Sequence, residues 1–140
     1  MVLEIVRSDD LETCWDLRRE VFIDEQSVSD ADERDGRDDE AIHLLARWAG
    51  RPVGTARILV TGSTGKIGRV CVRRTARGQG IGAALIRAAV AELAAMDGIE
   101  AAVLGAQTHA LRFYERLGFL AEGPEFMDAG IAHRMMRRAV

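Results

Sequence analysis

The chain has 140 residues, of which 48% are hydrophobic and 29% charged, and its formal net charge is −3 at pH 7. This composition is typical of a globular protein, and the length suits a single domain over residues 1–140. The acidic balance argues against a nucleic-acid partner, which needs a basic surface, and no apolar run reaches the roughly 20 residues of a membrane span. The N-terminal residues lack the basic head and apolar middle of an export signal, so we expect a cytoplasmic protein.

Cysteine and histidine usage gives no sign of a metal site. Cys14 and Cys71 are too few and too far apart for a disulfide framework, and His43, His109 and His133 show no ligand spacing. We therefore predict no metal.

The first half of the chain predicts a strand, a helix, an acidic connection and a meander. Residues 2–7 form a short β-rich run, and the Ser-Asp-Asp that follows can cap a helix that ends near Gln26. Residues 24–40 are mostly acidic and lack apolar periodicity, which predicts a loop or loosely helical connection. A charge run of this kind is usually exposed to solvent; the alternative is that it receives a cationic amine. Three antiparallel strands are predicted at 41–50, 51–60 and 66–72.

The second half predicts two helices between strands. A glycine-containing turn leads into an alanine-rich helix that stops at residues 97–98, and the strand at 99–106 is apolar on both faces, as in a central strand. The next helix begins at a Thr108 cap and ends at Gly118. Two last strands follow. His133 and the basic tail are interpreted as the charged end of an edge strand, where charge discourages aggregation. This order predicts an α/β domain with a mixed sheet.

The turn at residues 77–83, Arg-Gly-Gln-Gly-Ile-Gly-Ala, lies between a strand end and a helix start. Glycines there let backbone N–H groups converge on an anion at the positive end of the helix dipole, which favours a phosphate. A tight turn needed only for packing is the alternative. The arginines that can add positive charge are Arg73, Arg74 and Arg77.

The turn differs from two known nucleotide-binding motifs. A P-loop needs a lysine after its last glycine, whereas Ala83 follows Gly82 here. A dinucleotide motif fits Gly78, Gly80 and Ala83, but it should open a domain, and its ribose-binding acid should end a strand. Glu100 begins one, so this interpretation is disfavoured.

Residues 77–82 match R/Q-x-x-G-x-G/A, the acyl-CoA pyrophosphate signature of the GNAT superfamily of N-acetyltransferases, and the chain resembles that family. Residues 69–72 resemble its fourth strand, and residues 106–119 resemble the exit of its fifth strand with the following helix. Residues 21–26, 41–46 and 130–136 further resemble the small bacterial ElaA-like branch of the superfamily. The resemblance spans essentially the whole chain and implies a mixed, mostly antiparallel sheet with splayed central strands flanked by helices.

The resemblance implies acetyl-CoA as cosubstrate. The N–H groups from Gly78 to Ala83 would cradle the pyrophosphate with help from Arg77, and the backbone of residues 70–72 would pair with the pantetheine arm. An N–H near Val72 would stabilise the oxyanion. Gln107 stands where many relatives carry asparagine. The implied cofactor-binding residues are Val70, Cys71, Val72, Arg77, Gly78, Gln79, Gly80, Ile81, Gly82, Ala83 and Gln107.

The implied reaction is direct attack of a primary amine on the thioester. Tyr114 matches the family tyrosine that acts as an acid near the sulfur, although its helical spacing alone indicates a core residue. Many relatives carry a glutamate base on the fourth strand, but residues 66–72 contain no acid. Glu25 and His43 are therefore the candidate bases. Alternatively, Glu25 is only a solvated glutamate at a helix end, and His43 is a sheet histidine whose hydrogen bonds are made by its neighbours. The amine can also lose its proton to water without any base. Cys71 is expected to be a small buried residue.

The predicted function is an N-acetyltransferase that acts on a primary amine of a small molecule or peptide. The alternative is a non-catalytic acyl-CoA-binding sensor or interaction module, because the fourth strand lacks an acid. A nicotinamide-dependent oxidoreductase is a distant third. No nucleic-acid or membrane partner is expected, and a homodimer is suggested by its frequency among relatives.

Overall fold

In the computed structural model, which describes residues 2–140, seven strands and four α-helices follow one another along the chain. The strands are β1 (Leu3–Arg7), β2 (Ile42–Trp48), β3 (Arg51–Thr61), β4 (Thr64–Val72), β5 (Ala101–Gln107), β6 (Leu120–Asp128) and β7 (Ile131–Ala139). The α-helices are α1 (Leu11–Arg18), α2 (Asp30–Glu33), α3 (Ile81–Ala94) and α4 (Leu111–Arg116), and a π-helical stretch (Arg19–Glu25) continues α1. None of these helices combines the length and apolarity needed to cross a membrane.

The strands form one sheet in the order β1-β2-β3-β4-β5-β7-β6, and every neighbouring pair but one is antiparallel. The exception is the parallel pair of β4 and β5, which covers only residues 64–66 opposite 101–103. Beyond Lys66 the two strands separate, so the rest of β4 has no strand partner on the side of β5. The predicted meander and the predicted mixed, mostly antiparallel sheet with splayed central strands are confirmed.

A β-bulge bends β4 just beyond its last residue paired with β5. Thr55 and Arg57 of β3 lie opposite Cys71 and Gly68, so β4 contains one residue more than its partner over this interval. Arg69 within the bulge has a φ of 52°, which is in the left-handed region. Bulges of this kind redirect side chains and increase the local twist, and here the bend coincides with the separation of the central strands.

The two faces of the sheet are covered by different helices. Helix α3 buries Leu85, Ala89 and Leu93 on one face, and its approach is so close that a Cβ on Gly65 would lie 2.1 Å from Leu93 Cδ2. Helix α1 and the π-helical stretch pack Leu17 and Val21 on the other face. The interior therefore lies on both sides of a central sheet, as an α/β layer arrangement requires.

Element boundaries mostly follow the sequence. Asp10 caps α1, since its Oδ1 accepts a hydrogen bond from the Thr13 N–H at 3.2 Å, and Gly118 ends the α4 region with a φ of 91°. Residues 108–110 form a 3₁₀ turn, so α4 begins at Leu111 and not at the predicted Thr108. The edge-strand interpretation of His133 is wrong, because β7 is inserted between β5 and β6 and the outer strand is β6.

Candidate active site

A cleft of about 530 Å³ opens where β4 and β5 separate. Residues 66–70 of β4 form one side, and residues 104, 105 and 107 of β5 form the other. Tyr114 of α4, the β6–β7 hairpin and residues 32–37 of the acidic segment complete the walls. A cleft of this size can enclose a small organic ligand, and the unpaired strand edge supplies free backbone donors and acceptors.

The glycine-containing turn leads into the N-terminus of α3. Gly78 and Gly80 have φ values of 80° and 77°, and a Cβ on either would meet no atom within 4 Å. Gly80 is the N-cap and offers no side chain, and the first intrahelical bond is donated by the Ala84 N–H to the Gly80 carbonyl at 3.1 Å. The amides of residues 81–83 precede that bond and lack helical partners. This open, uncapped helix start fits the pyrophosphate of an acyl-CoA.

The arginines before the turn are engaged with carboxylates. Arg77 donates from Nη2 to Glu25 Oε1 at 2.8 Å and from Nε to the Val72 carbonyl at 3.0 Å. Arg73 donates to both carboxylate oxygens of Glu20, at 3.0 and 3.1 Å. Both pairs are partly exposed and therefore contribute little net stability, so an arriving anion can displace the carboxylates.

The predicted pantetheine edge, residues 70–72, lies along the unpaired side of β4. Arg73 extends the pairing with β3 by donating its N–H to the Val53 carbonyl at 2.8 Å, so the opposite side of the strand is the free one. The Cys71 side chain is buried with Cys14 and Leu17, and burial raises the pKa of its thiol to about 12. The thiol stays protonated and cannot serve as a nucleophile, in agreement with a purely structural side chain.

Tyr114 lies in the cleft wall between two other aromatic rings. It packs edge to face against Phe113 and Phe119, with ring centroids 5.0 and 6.2 Å away. Its hydroxyl makes no hydrogen bond within residues 2–140 and keeps contact with solvent. Burial raises the pKa of the phenol, so the hydroxyl remains protonated and can donate into the cleft.

The structure does not bring the two predicted bases together with Tyr114. Glu25 lies at the end of the π-helical stretch, where it pairs with Arg77 near the glycine-containing turn. His43 is buried on β2 and donates from Nε2 to the Asp38 carbonyl at 2.9 Å. It borders a different depression, formed with β1 and the start of α1, and is absent from the cleft wall.

Gln107 spans the mouth of the cleft. Its Nε2 donates to Gln26 Oε1 at 3.1 Å, and its Oε1 accepts a hydrogen bond from His109 Nε2 at 2.7 Å. These bonds link the end of β5 to the residue that follows the π-helical stretch. The amide therefore lies in the wall of the cleft between β4 and β5, and its contact with a cofactor stays a prediction.

Part of the acidic segment forms a wall of the cleft: Glu33 and Asp38 turn inward, whereas most of the other residues stay exposed, as the charge of the segment predicts. We call residues 30–38 the acidic wall. Glu33 and Asp38 are only 2% and 7% exposed, and both bind Arg18, which is 1% exposed. The Arg18 Nη1 to Asp38 Oδ1 distance is 2.7 Å. The carboxylates thus fold inward onto a buried guanidinium from α1.

Two arginines of the sheet complete this attachment. Arg57 donates from both Nη atoms to Asp35 at 2.9 and 2.8 Å, and Arg69 of the bulge donates from Nη2 to the carbonyl oxygens of Asp32 and Glu33 at 3.1 Å each. The hydrogen bonds from Arg57 hold the pKa of Asp35 well below its usual range. Burial alone would raise the pKa of Asp38, but the hydrogen bonds from Arg18 and Trp15 outweigh it and lower the pKa to about 2.

Sequence reasoning missed several cleft residues. His133 and Phe126 come from the β6–β7 hairpin, whereas Arg57, Arg69 and Asp35 belong to the attachment of the acidic wall. Each belongs to a segment whose position depends on a distant partner strand or charge. The alternation of residues along β7 gives the face on which His133 lies, but no local signal indicates that β7 pairs with β5.

A cleft between splayed central strands with a protonated tyrosine in its wall, together with an uncapped glycine-rich helix start after β4, is the arrangement expected of an acyl-CoA-binding fold of the acyltransferase class. The acetyltransferase (GNAT) domain family matches residues 7–140, and the chain belongs to this family. Members transfer acetyl groups from acetyl-CoA to amines, and solved structures of the fold include complexes with coenzyme A and with acetyl-CoA.

Individual relatives agree with this assignment. Over 98% of its length the chain is 37% identical to a Bacillus subtilis (strain 168) protein named "Putative acetyltransferase BSU40680", of which 95% is covered. An acyl-CoA N-acyltransferase from Pseudomonas aeruginosa shares 31% identity with a TM-score of 0.88, covering 99% of this chain and 100% of that one. Escherichia coli ElaA shares 29% identity with a TM-score of 0.86, covering 98% and 99%. The predicted resemblance is confirmed.

Proposed function

We propose that the protein is an N-acetyltransferase that transfers the acetyl group of acetyl-CoA to a primary amine of a small molecule or peptide by direct attack. The observation that carries this proposal is an uncapped, glycine-lined helix start that follows β4, the strand whose unpaired edge lines the same cleft as Tyr114. When bound, acetyl-CoA supplies the activated thioester. The residues of the chain bind it, orient it and move protons.

We assign binding to the glycine-containing turn and the free edge of β4. The amides of residues 78–83 would hold the pyrophosphate, and Arg77 would exchange its bond to Glu25 for a phosphate oxygen. The backbone of residues 70–72 would pair with the amides of the pantetheine arm along the unpaired strand edge. Gln107 would contact the same arm at the cleft mouth.

We assign the acid role to Tyr114. A departing thiolate needs a proton, and a tyrosine whose pKa is raised by burial keeps its proton over the neutral range. Direct attack is favoured over an acyl-enzyme, because the cysteine nearest the proposed thioester site, Cys71, is buried and protonated. The nitrogen of the acceptor amine then attacks the thioester carbonyl carbon directly.

The test measures cofactor binding and turnover separately. Acetyl-CoA affinity is measured by calorimetry, and thiol release from acetyl-CoA is followed over a panel of primary amines. Gly80 and Gly82 are both changed to valine, and Gly98→Val is the matched control. Gly98 has a φ of 82° with no atom within 4 Å of a Cβ, like Gly80, but it lies in the loop before β5. The double variant should lose acetyl-CoA binding, whereas Gly98→Val should keep it despite comparable backbone strain.

Unchanged acetyl-CoA binding in the double variant would contradict the assigned site. A second candidate function, a non-catalytic acyl-CoA sensor, is favoured by one observation: β4 carries no carboxylate from Thr64 to Val72. Saturable acetyl-CoA binding without thiol release for any amine would support the sensor and overturn the enzyme. The homodimer and the cytoplasmic location stay predictions.

A further inference from the structure

Two of the four carboxylates that line the cleft are already committed to arginines. Glu33 is 2% exposed and bound by Arg18, and Asp35 is bound through both oxygens by Arg57. The hydrogen bonds from Arg57 lower the pKa of Asp35, so this carboxylate is a poor acceptor for a proton from an ammonium group. The other two, Asp32 and Asp128, are exposed, so the enclosed part of the cleft needs a different group to take the proton of the acceptor amine.

His133 offers such a group, because its hydrogen bonding fixes where its lone pair lies. Its Nδ1 is 2.7 Å from the Ile131 carbonyl oxygen. A carbonyl can only accept, so Nδ1 carries the hydrogen and Nε2 of the neutral ring carries the lone pair. Nε2 makes no hydrogen bond within residues 2–140 and keeps contact with solvent, although the residue as a whole is 8% exposed.

The other histidine in the cleft wall has the opposite arrangement. His109 Nε2 lies 2.7 Å from Gln107 Oε1, an amide oxygen while Gln107 Nε2 donates to Gln26. The ring must therefore donate through Nε2 at the cleft mouth. Its lone pair then lies on Nδ1 of an exposed residue, whereas the lone pair of His133 lies on a ring that is buried in the cleft wall.

The ring of His133 is held in place from two sides. It stacks on Phe126 with a centroid distance of 5.7 Å and an interplanar angle of 24°. On β5, Gly105 leaves the space beside it free, since a Cβ there would lie 3.9 Å from His133 Cδ2 and 3.5 Å from Phe126 Cζ. The pairing of His133 with Gln107 places this ring beside the wedge where β4 and β5 diverge.

We propose that Nε2 of His133 is the general base that accepts the proton of the acceptor ammonium; this proposal rests on the proposed acetyl transfer. The amine nitrogen then forms a bond to the acetyl carbonyl carbon as the carbon–sulfur bond breaks. Of the two protons that the nitrogen loses, the first passes through Nε2 to water, and the second replaces the proton that Tyr114 gives to the thiolate. The products are the N-acetylamine, coenzyme A and one proton.

The experiment varies the basicity of the acceptor. Wild type, His133→Gln and His133→Asn are assayed with matched amines from the panel, such as ethylamine against 2,2,2-trifluoroethylamine and benzylamine against aniline. The second member of each pair is unprotonated at neutral pH and needs no base. His133→Asn keeps an N–H near the position of Nδ1, so it can preserve the bond to Ile131 while removing the Nε2 lone pair.

Both variants should lose about 10²- to 10⁴-fold in turnover with the protonated amine and only a few-fold with its weakly basic partner. Their acetyl-CoA affinity should be unchanged. Equal losses with both amines, or no loss, overturn the base role. A basicity-dependent loss in Glu25→Gln or His43→Gln, with the His133 variants unaffected, also overturns it. A wild type that binds acetyl-CoA but acetylates no amine contradicts the proposed function instead, and the base role with it.

Discussion

Replacing Arg18 by alanine is expected to lower the free energy of unfolding by about 3–5 kcal/mol, the usual effect of breaking a buried ion pair from one side. Arg18 is 1% exposed and binds Glu33, which is 2% exposed, and Asp38, which is 7% exposed. Asp38 would still receive bonds from Trp15 at 3.0 Å and Arg57 at 3.2 Å. The Glu33 carboxylate would lose its ion pair, since Arg69 binds the main-chain oxygen of this residue, so most of the cost arises there.

The next residue along the chain provides the control. Arg19 pairs with Asp30 at 2.9 Å, but the two side chains are 58% and 70% exposed. Removing such a surface pair changes the free energy of unfolding by about 0–1 kcal/mol. Arg18→Ala and Arg19→Ala therefore make the same chemical change one residue apart, and they differ only in burial.

Guanidinium unfolding curves for the three proteins, followed by circular dichroism, measure both free energies at pH 7. Arg18→Ala should shift the midpoint strongly while Arg19→Ala leaves it nearly unchanged. If the two variants differ by less than about 1 kcal/mol, the Arg18 cluster is not the attachment that holds the acidic wall, and the reasoning fails.

Three further predictions concern single side chains. Because the pKa of Asp38 is lowered, its charge stabilises the fold fully above about pH 4, the ordinary aspartate range, and this stabilisation is lost as the pH falls towards about 2. Asp38→Asn should remove this part of the acid-unfolding curve. An unfolding curve identical to that of the wild type would contradict the prediction. Tyr114→Phe should lower turnover by about 10²-fold with little change in acetyl-CoA affinity, and an unaltered rate would remove the acid role. Cys71 should resist thiol reagents in the folded protein and react on unfolding; rapid modification of the native protein, located by mass spectrometry, would refute its burial.

Local chemistry accounts for what could be predicted from the sequence. The order of strands and helices follows from apolar periodicity, capping residues and turn glycines. The glycine-containing turn predicts an anion site, because the backbone conformation that glycine permits is a local property of the sequence. The family motifs then extend this to the cofactor and to the splayed sheet. Each of these signals lies within a few consecutive residues.

What was missed depends on distant partners. The acidic wall looks wholly solvated in sequence because charge runs usually are, whereas Glu33 and Asp38 are buried and the segment is attached to Arg18, Arg57 and Arg69 from three other elements. His133 looks like a solitary strand histidine until the sheet order places β7 beside β5. The bulge at Arg69 requires the register of β3 against β4, which no local pattern encodes.

The way in which Arg69 holds the acidic wall bears on how a protein of this family can change its preference for an acceptor amine during evolution. Its guanidinium binds the main-chain oxygens of Asp32 and Glu33, which every amino acid supplies. The Asp32 side chain, which lines the cleft, is therefore free to be exchanged without loosening this anchor. At Asp32, unlike at Glu33, Asp35 and Asp38, the contact that fixes the position of the residue does not depend on its side chain.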